Sequence, residues 1–317
     1  MRSIGRLCGR AKLHLFLITV VAIQLGKAQD STASSPPVMP QATNTVDSLQ
    51  SSAEREYLPE WHSLITNLPE DWVRFWNTAF REENIPLIAG ITVSTAALLA
   101  TDDQTWHAAD RWYKSSPTIK NASDILEYMG DGRPQFGLSA AFAAYGFVAS
   151  DRRALRTGSE VSEAILACGV VIQVLKHITG RESPYLSTRS GGRWDFFPNQ
   201  IQYAKHVPAY DAYPSGHIAT ALTTVTVVVE NYPEWWWARP LGYTIVGLIG
   251  ISMGNTGIHW YSDYPLGLAL GYSFGMIAAH PREMGGLKSE QASGESKLSI
   301  APRITPEGAG FAIQFAF

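Results

Sequence analysis

An all-α fold, a bundle of six core helices followed by a short C-terminal β-hairpin, is what this sequence predicts, on three observations. Six apolar segments, at 84–101, 135–149, 160–178, 215–230, 240–257 and 262–279, are long enough for helices and rich in Ala, Gly and Val. No strand-like alternation competes with them before the C-terminus. The final stretch then changes period: Phe311, Ile313, Phe315 and Phe317 alternate with Ala312, Gln314 and Ala316.

The elements follow in chain order. Arg2, Arg6, Arg10 and Lys12 precede an apolar run from Leu15 to Leu25 and then Gly26-Lys27-Ala28, which predicts a signal peptide over 1–28. Residues 29–56 are rich in Ser, Thr, Pro and Gln and lack aromatics, the composition of a disordered linker. A helical domain over 57–284 begins where Tyr57 and Trp61 start an aromatic series continued by Trp72, Phe75, Trp76 and Phe80, the pattern of an amphipathic helix. Gly, Ser and Glu then mark a second linker over 285–297. The hairpin occupies 298–317, with strands at Leu298–Ile304 and Gly310–Phe317 around Thr305-Pro306-Glu307-Gly308.

Composition excludes several classes. Five of the 25 basic residues and none of the 28 acidic ones lie within 1–28, so removing that segment leaves 20 against 28 and a formal charge of −8. Such a chain has no general attraction for nucleic acid. Of the two cysteines, Cys8 lies in the leader, so Cys168 has no partner for a disulfide and reads as a small buried residue. The remaining histidines are scattered without metal-ligand spacing. Neither a metal nor an organic cofactor is expected.

The chemistry concentrates in a spaced set: Lys176, then Pro214-Ser215-Gly216-His217, then His259 with Asp263. A phosphate monoester requires a nucleophile, an acid for the leaving oxygen, and donors for the charge on the equatorial oxygens. His259 and Asp263 are four positions apart, between the fifth and sixth helices; on a helix they would share a face, where the carboxylate would hold one ring nitrogen while the other attacks. Ser215 reads as the N-cap of the fourth helix, which would aim free N–H groups at an anion, with Gly216 allowing close approach. His217 stands in the first turn of that helix, and Lys176 ends an earlier one as a point charge. All these residues fall at one end of the bundle.

The set resembles the type 2 phosphatidic acid phosphatase and vanadium haloperoxidase superfamily, whose pattern is Lys-x6-Arg-Pro, then Pro-Ser-Gly-His, then Ser-Arg-x5-His-x3-Asp. Lys176 to Pro184, Pro214 to His217 and Ser252 to Asp263 fall in register with it. The resemblance covers roughly residues 85 to 280. It implies a phosphatase, metal-independent, in which His259 attacks phosphorus, His217 protonates the leaving oxygen, and Lys176, Ser215 and Gly216 hold the phosphoryl oxygens. Lipid phosphates or pyrophosphates and small soluble phosphomonoesters are the implied substrates.

Two positions depart from the pattern. Ser183 and Met253 stand where the superfamily has arginines that fork onto phosphate oxygens. One such donor is worth about 2.7–4 kcal/mol in other enzymes, so the loss of two must be compensated or activity falls. Arg181 is the substitute cation expected on this reading, with Arg189 and Arg193 in the loop beyond it.

Three alternatives stay open: a non-catalytic envelope protein of the same fold, a vanadate-dependent haloperoxidase, and a membrane-spanning lipid phosphatase. The expected location is the periplasm or cell envelope, with an integral membrane protein as the alternative. A water-soluble or peripherally bound bundle with its six helices buried is preferred, because a cleaved leader and three crossings would put Lys176 on the cytoplasmic side. Glu234-Trp235-Trp236-Trp237 reads equally as an anchor at a membrane surface or as a cap on the bundle end opposite the site.

Overall fold

The computed structural model describes residues 63–280, 297–305 and 308–316. The signal peptide over 1–28, the linker over 29–56 and nearly all of the linker over 285–297 lie outside the described residues.

A helical turn, Ser63–Thr66, leads into α1 (Leu68–Ala79). Then come α2 (Ile85–Leu99), α3 (Asp102–Tyr113), α4 (Pro117–Gly130), α5 (Gly132–Ala149) and α6 (Arg152–Thr179). Beyond a long loop carrying the short α7 (Gln200–Lys205) follow α8 (Gly216–Asn231), α9 (Ala238–Thr256) and α10 (Tyr264–Ala279). All six apolar segments are therefore helices: α2, α5, α6, α8, α9 and α10. The helices α3 and α4 went unforeseen, because charged and polar residues break their apolar pattern. Asp102 opens α3 and is fully buried. Arg152, Arg153 and Arg156 lie in the first two turns of α6.

Local chemistry sets the helix ends that matter for the site. Asp151 caps α6, accepting from the Ala154 amide at 3.1 Å. Gly180 ends α6 in the left-handed region at φ 53°, where a side chain would be strained and would collide with the Asp195 carbonyl. Ser215 caps α8 through the Ile218 amide, 3.4 Å away.

The core lies along α6, α8, α9 and α10. Ile218, Leu222, Val246, Ile249 and Met253 form one buried cluster, and Cys168, Ile172, Ala219, Leu270 and Phe274 another. Helix α1 seals part of it, with the Trp72 indole donating to the Ala167 carbonyl (3.1 Å) and Phe75 stacking on Phe274 at 4.8 Å. Helices α8 and α10 approach closely because Gly267, Gly271 and Gly275 line one face of α10. A methyl at Gly267 would lie 2.7 Å from the Ser215 carbonyl oxygen and one at Gly275 2.6 Å from Thr226 Cβ, while one at Gly271 would strike the Ala219 carbonyl. Gly271→Val is therefore expected to lower stability by about 1–3 kcal/mol, read from the urea midpoint.

Burial is not uniform around the bundle. Within the described residues, α2 exposes Ile85, Leu87, Ile88, Val93 and Leu99, and α5 exposes Phe147 (81%) and Val148 (84%). The expectation of six simply buried helices fails most clearly for these two, which turn apolar faces outward. Among the described residues one helix, Arg152–Thr179, has by itself the length and hydropathy to cross a membrane, and 44% of its most apolar window is buried. At the far end of α8, Tyr232, Trp235 and Trp237 stack at 4.1 and 5.6 Å, while Trp236 points outward at 80% exposure.

The C-terminal unit is a two-stranded antiparallel hairpin, β1 (Lys297–Thr305) and β2 (Gly308–Ala316), with Ile300 opposite Ile313. Both strands extend slightly closer to the turn than the sequence suggested.

Candidate active site

Lys176, Ser215, Gly216, His217, His259 and Asp263 meet at one end of the bundle, where α6 ends and α8 begins. Lys176 is buried in the last turn of α6, and a Cβ added to Gly216 would lie 3.8 Å from its ammonium nitrogen. Asp211 pairs with that ammonium at 3.4 Å. The two ring systems face each other, His217 Nδ1 lying 3.2 Å from His259 Nε2.

His259 is held differently from the helical pairing its spacing suggests. It lies in the turn after α9, and Asp263 in a single 3-10 turn (Tyr261–Asp263) before α10. The nearest acceptor for His259 Nδ1 is the Ala212 carbonyl, at 2.7 Å, with Asp263 Oδ2 behind it at 3.5 Å. A proton on Nδ1 satisfies both, and it leaves the Nε2 lone pair directed at His217, whose Nδ1–H then donates. Asp263 is itself fixed: its Oδ2 accepts from the Trp260 amide at 2.8 Å, and its carbonyl accepts from the Ser215 amide at 3.0 Å, tying the third motif to the second.

Arg181 is fully buried between Trp194 and Trp260, its guanidinium carbon 4.7 and 5.2 Å from the two rings. Nη1 donates to Ser262 Oγ at 2.7 Å and to Asp263 Oδ1; Nη2 donates to Asp102 Oδ2 at 2.6 Å and to the Gly191 carbonyl at 2.9 Å. Four of its five donors are thus engaged by the protein, and Nε, the fifth, is enclosed. Arg193 pairs with Asp195 at 3.6 Å and lies over the Tyr210 ring. Neither departure from the motif supplies a charge: Met253 is wholly buried in the apolar cluster around α9, and Ser183 is buried with its amide donating to the Pro208 carbonyl at 3.0 Å.

Burial dominates the electrostatics. It pushes the His259 imidazole down to about 3, helped by the Lys176 charge, and the His217 imidazole also down to about 3, helped by His259. Both rings are neutral at neutral pH. Asp263 is pushed up to about 6 by burial, against the pull of Arg181, the Trp260 amide and Lys176. Burial also raises Asp102, with a smaller push from Asp263.

These shifts act oppositely on folding. A histidine neutral in the folded site but charged when unfolded loses stability as pH falls from 6.5 towards 3. The raised Asp263 favours the folded state below 3.8, and that contribution disappears as pH rises through about 6. Asp102 acts with Asp263, but each histidine moves further from its ordinary value than Asp263 does, so the urea midpoint is expected to decline as pH drops from about 6.5 to about 4. A His217→Ala variant should show a flatter decline.

Sequence reasoning missed Ala212, Asp211, Asp102 and the two tryptophans. No motif marks a backbone carbonyl, but Trp194 and Trp260, which sandwich Arg181, were visible as residue types.

Residues 159–284 match the family model of the PAP2 superfamily, and this span contains every residue of the constellation. The resemblance seen in the motifs holds. The chain is also 37% identical over 70 residues to a lipid A 1-phosphatase of Porphyromonas gingivalis, a match covering 22% of this chain and 16% of that protein. A crystal structure of a transmembrane PAP2-type phosphatidylglycerolphosphate phosphatase from Bacillus subtilis aligns over 61% of this chain and 92% of that one, with 17% identity and a TM-score of 0.44. Asp102, on α3, lies outside the PAP2 segment.

Proposed function

We propose that this protein is a membrane-associated phosphatase of lipid phosphates, working without a metal through a phosphohistidine. The observation that carries the reading is the pair His217 and His259, 3.2 Å apart at the N-terminus of α8 with Lys176 beside Gly216. The PAP2 match and the lipid A 1-phosphatase relative support the substrate class.

In the first step His259 Nε2 would attack phosphorus as the bond to the leaving oxygen breaks, and His217, protonated on meeting the phosphate dianion, would pass its proton to that oxygen. Water would then attack phosphorus, forming an O–P bond as the N–P bond breaks, giving up a proton to His217 and releasing phosphate and a neutral His259. Lys176, the Ser215 hydroxyl and the Gly216 N–H would hold the phosphoryl oxygens. Asp211 must release Lys176 for this, so substrate competes with a built-in carboxylate. Arg181 supports Asp263 on this reading and does not take the place of the missing arginines.

Membrane association is supported by the outward apolar faces of α2 and α5. The absence of arginine at Ser183 and Met253 favours a second reading, a non-catalytic module of the same fold. Phosphate release from vesicles of phosphatidic acid and phosphatidylglycerolphosphate, compared with p-nitrophenyl phosphate, separates the two. Release from the lipids above that from the soluble ester is expected; no release from any of the three would reject the enzyme.

A further inference from the structure

Most of what holds His259 leads back to one arginine that touches no substrate position. We propose that Asp102 and Arg181 are positioning residues for the reaction at His259: together they fix Asp263 and Ala212, the two groups that face the imidazole Nδ1. The inference rests on the phosphatase reading and deepens it.

The geometry gives two routes. Through its side chain, Arg181 bonds Asp263 Oδ1 and leaves Oδ2 to face Trp260 N–H and His259. Through its backbone, the Arg181 carbonyl accepts from the Ala212 amide at 2.9 Å, and the Ala212 carbonyl in turn accepts from His259 at 2.7 Å. Asp102 closes the network from the other side, accepting from Arg181 at 2.6 Å and from Ser262 Oγ at 2.5 Å. Because Asp102 opens α3, this helix is pinned to the turn that carries the nucleophile. Trp194 and Trp260 exclude water from the guanidinium, so these bonds persist in a dry environment where each is stronger than at a surface.

The network also sets charge. One guanidinium faces two carboxylates, so Asp102 draws on the same cation that favours the ionised form of Asp263. The other titratable groups facing Asp263 are Lys176 from α6, His259, Tyr213 from the loop before α8 and Tyr264 from α10. Neutralising Asp102 therefore lets Asp263 ionise at lower pH.

The test measures kcat and KM on dioctanoyl phosphatidic acid from about pH 5 to about pH 8 for wild type, Asp102→Asn and Arg181→Lys, alongside thermal unfolding. Asn keeps the shape of Asp102, and Lys keeps the charge of Arg181 but not its fork. For Asp102→Asn, kcat should fall about tenfold with KM within about twofold, and the acid limb should move down by about half a unit. For Arg181→Lys, kcat should fall similarly with the limb close to wild type.

A kcat that falls only with the folded fraction, with an unmoved limb in Asp102→Asn, would overturn the inference. So would a KM that rises with kcat intact in Arg181→Lys, which would make Arg181 a phosphate ligand. If wild type shows no turnover, the phosphatase reading fails by itself, and nitrogen-15 NMR of the His259 ring decides the inference. A single Nδ1–H tautomer in wild type and mixed tautomers in both variants would support it, whereas one unchanged tautomer in all three would overturn it.

Discussion

His259→Ala should reduce phosphate release from lipid phosphates by at least about three orders of magnitude while leaving the fold intact. Its Nε2 is the nitrogen whose lone pair is free of backbone bonding, since Nδ1 is committed to the Ala212 carbonyl at 2.7 Å. His217 cannot replace it, because its ring sits in the first turn of α8 on the acid side of the site. Truncation removes a buried ring that makes one backbone bond, so the protein should still fold, and circular dichroism with the urea midpoint checks this. His217→Ala should be less severe on a substrate whose leaving group needs no proton, such as p-nitrophenyl phosphate, than on a lipid phosphate.

Arg181→Ala should produce the largest loss of stability, about 3–5 kcal/mol at neutral pH. The substitution leaves Asp102 and Asp263 buried together with no counter-charge, both having been within bonding distance of one guanidinium. It also empties the slot between Trp194 and Trp260. Two buried carboxyls without a cation are forced upward in pKa, so the variant's folded state takes up protons that the unfolded chain, with ordinary values of about 3.9, does not hold. The deficit relative to wild type should thus be greatest at neutral pH and shrink as pH falls into the acid range. Urea unfolding of both proteins at several pH values measures it. A deficit below about 1 kcal/mol, or one independent of pH, would mean that the two carboxylates do not depend on Arg181.

Much of this was legible in the sequence. The six apolar segments became α2, α5, α6, α8, α9 and α10 because their apolar residues run long enough to exclude strands. Ser215 as a cap and His217 in the first turn followed from local chemistry, which acts over three or four residues and can be read directly. Helices α3 and α4 escaped because part of each is solvated and the rest is buried only by neighbours distant in sequence. The same reason hid Asp102, which binds Ser262 from 160 residues away. The assignment of His259's orienting partner illustrates the limit of spacing arguments: His259 and Asp263 are four apart, but the chain turns between them instead of continuing as a helix. A carbonyl from Ala212, at 2.7 Å, joins the carboxylate, at 3.5 Å, on His259 Nδ1. Arg181, expected to face phosphate, turns inward because two buried aspartates compete for it.

The central claim is that phosphate passes through His259. Rapid quenching of the enzyme with labelled dioctanoyl phosphatidic acid, followed by mass spectrometry under alkaline conditions, tests it most directly. A base-stable, acid-labile phosphoryl group on His259, absent from His259→Ala, is the predicted result. Undiminished phosphate release by His259→Ala, with no phosphoryl group on the histidine in wild type, would contradict it.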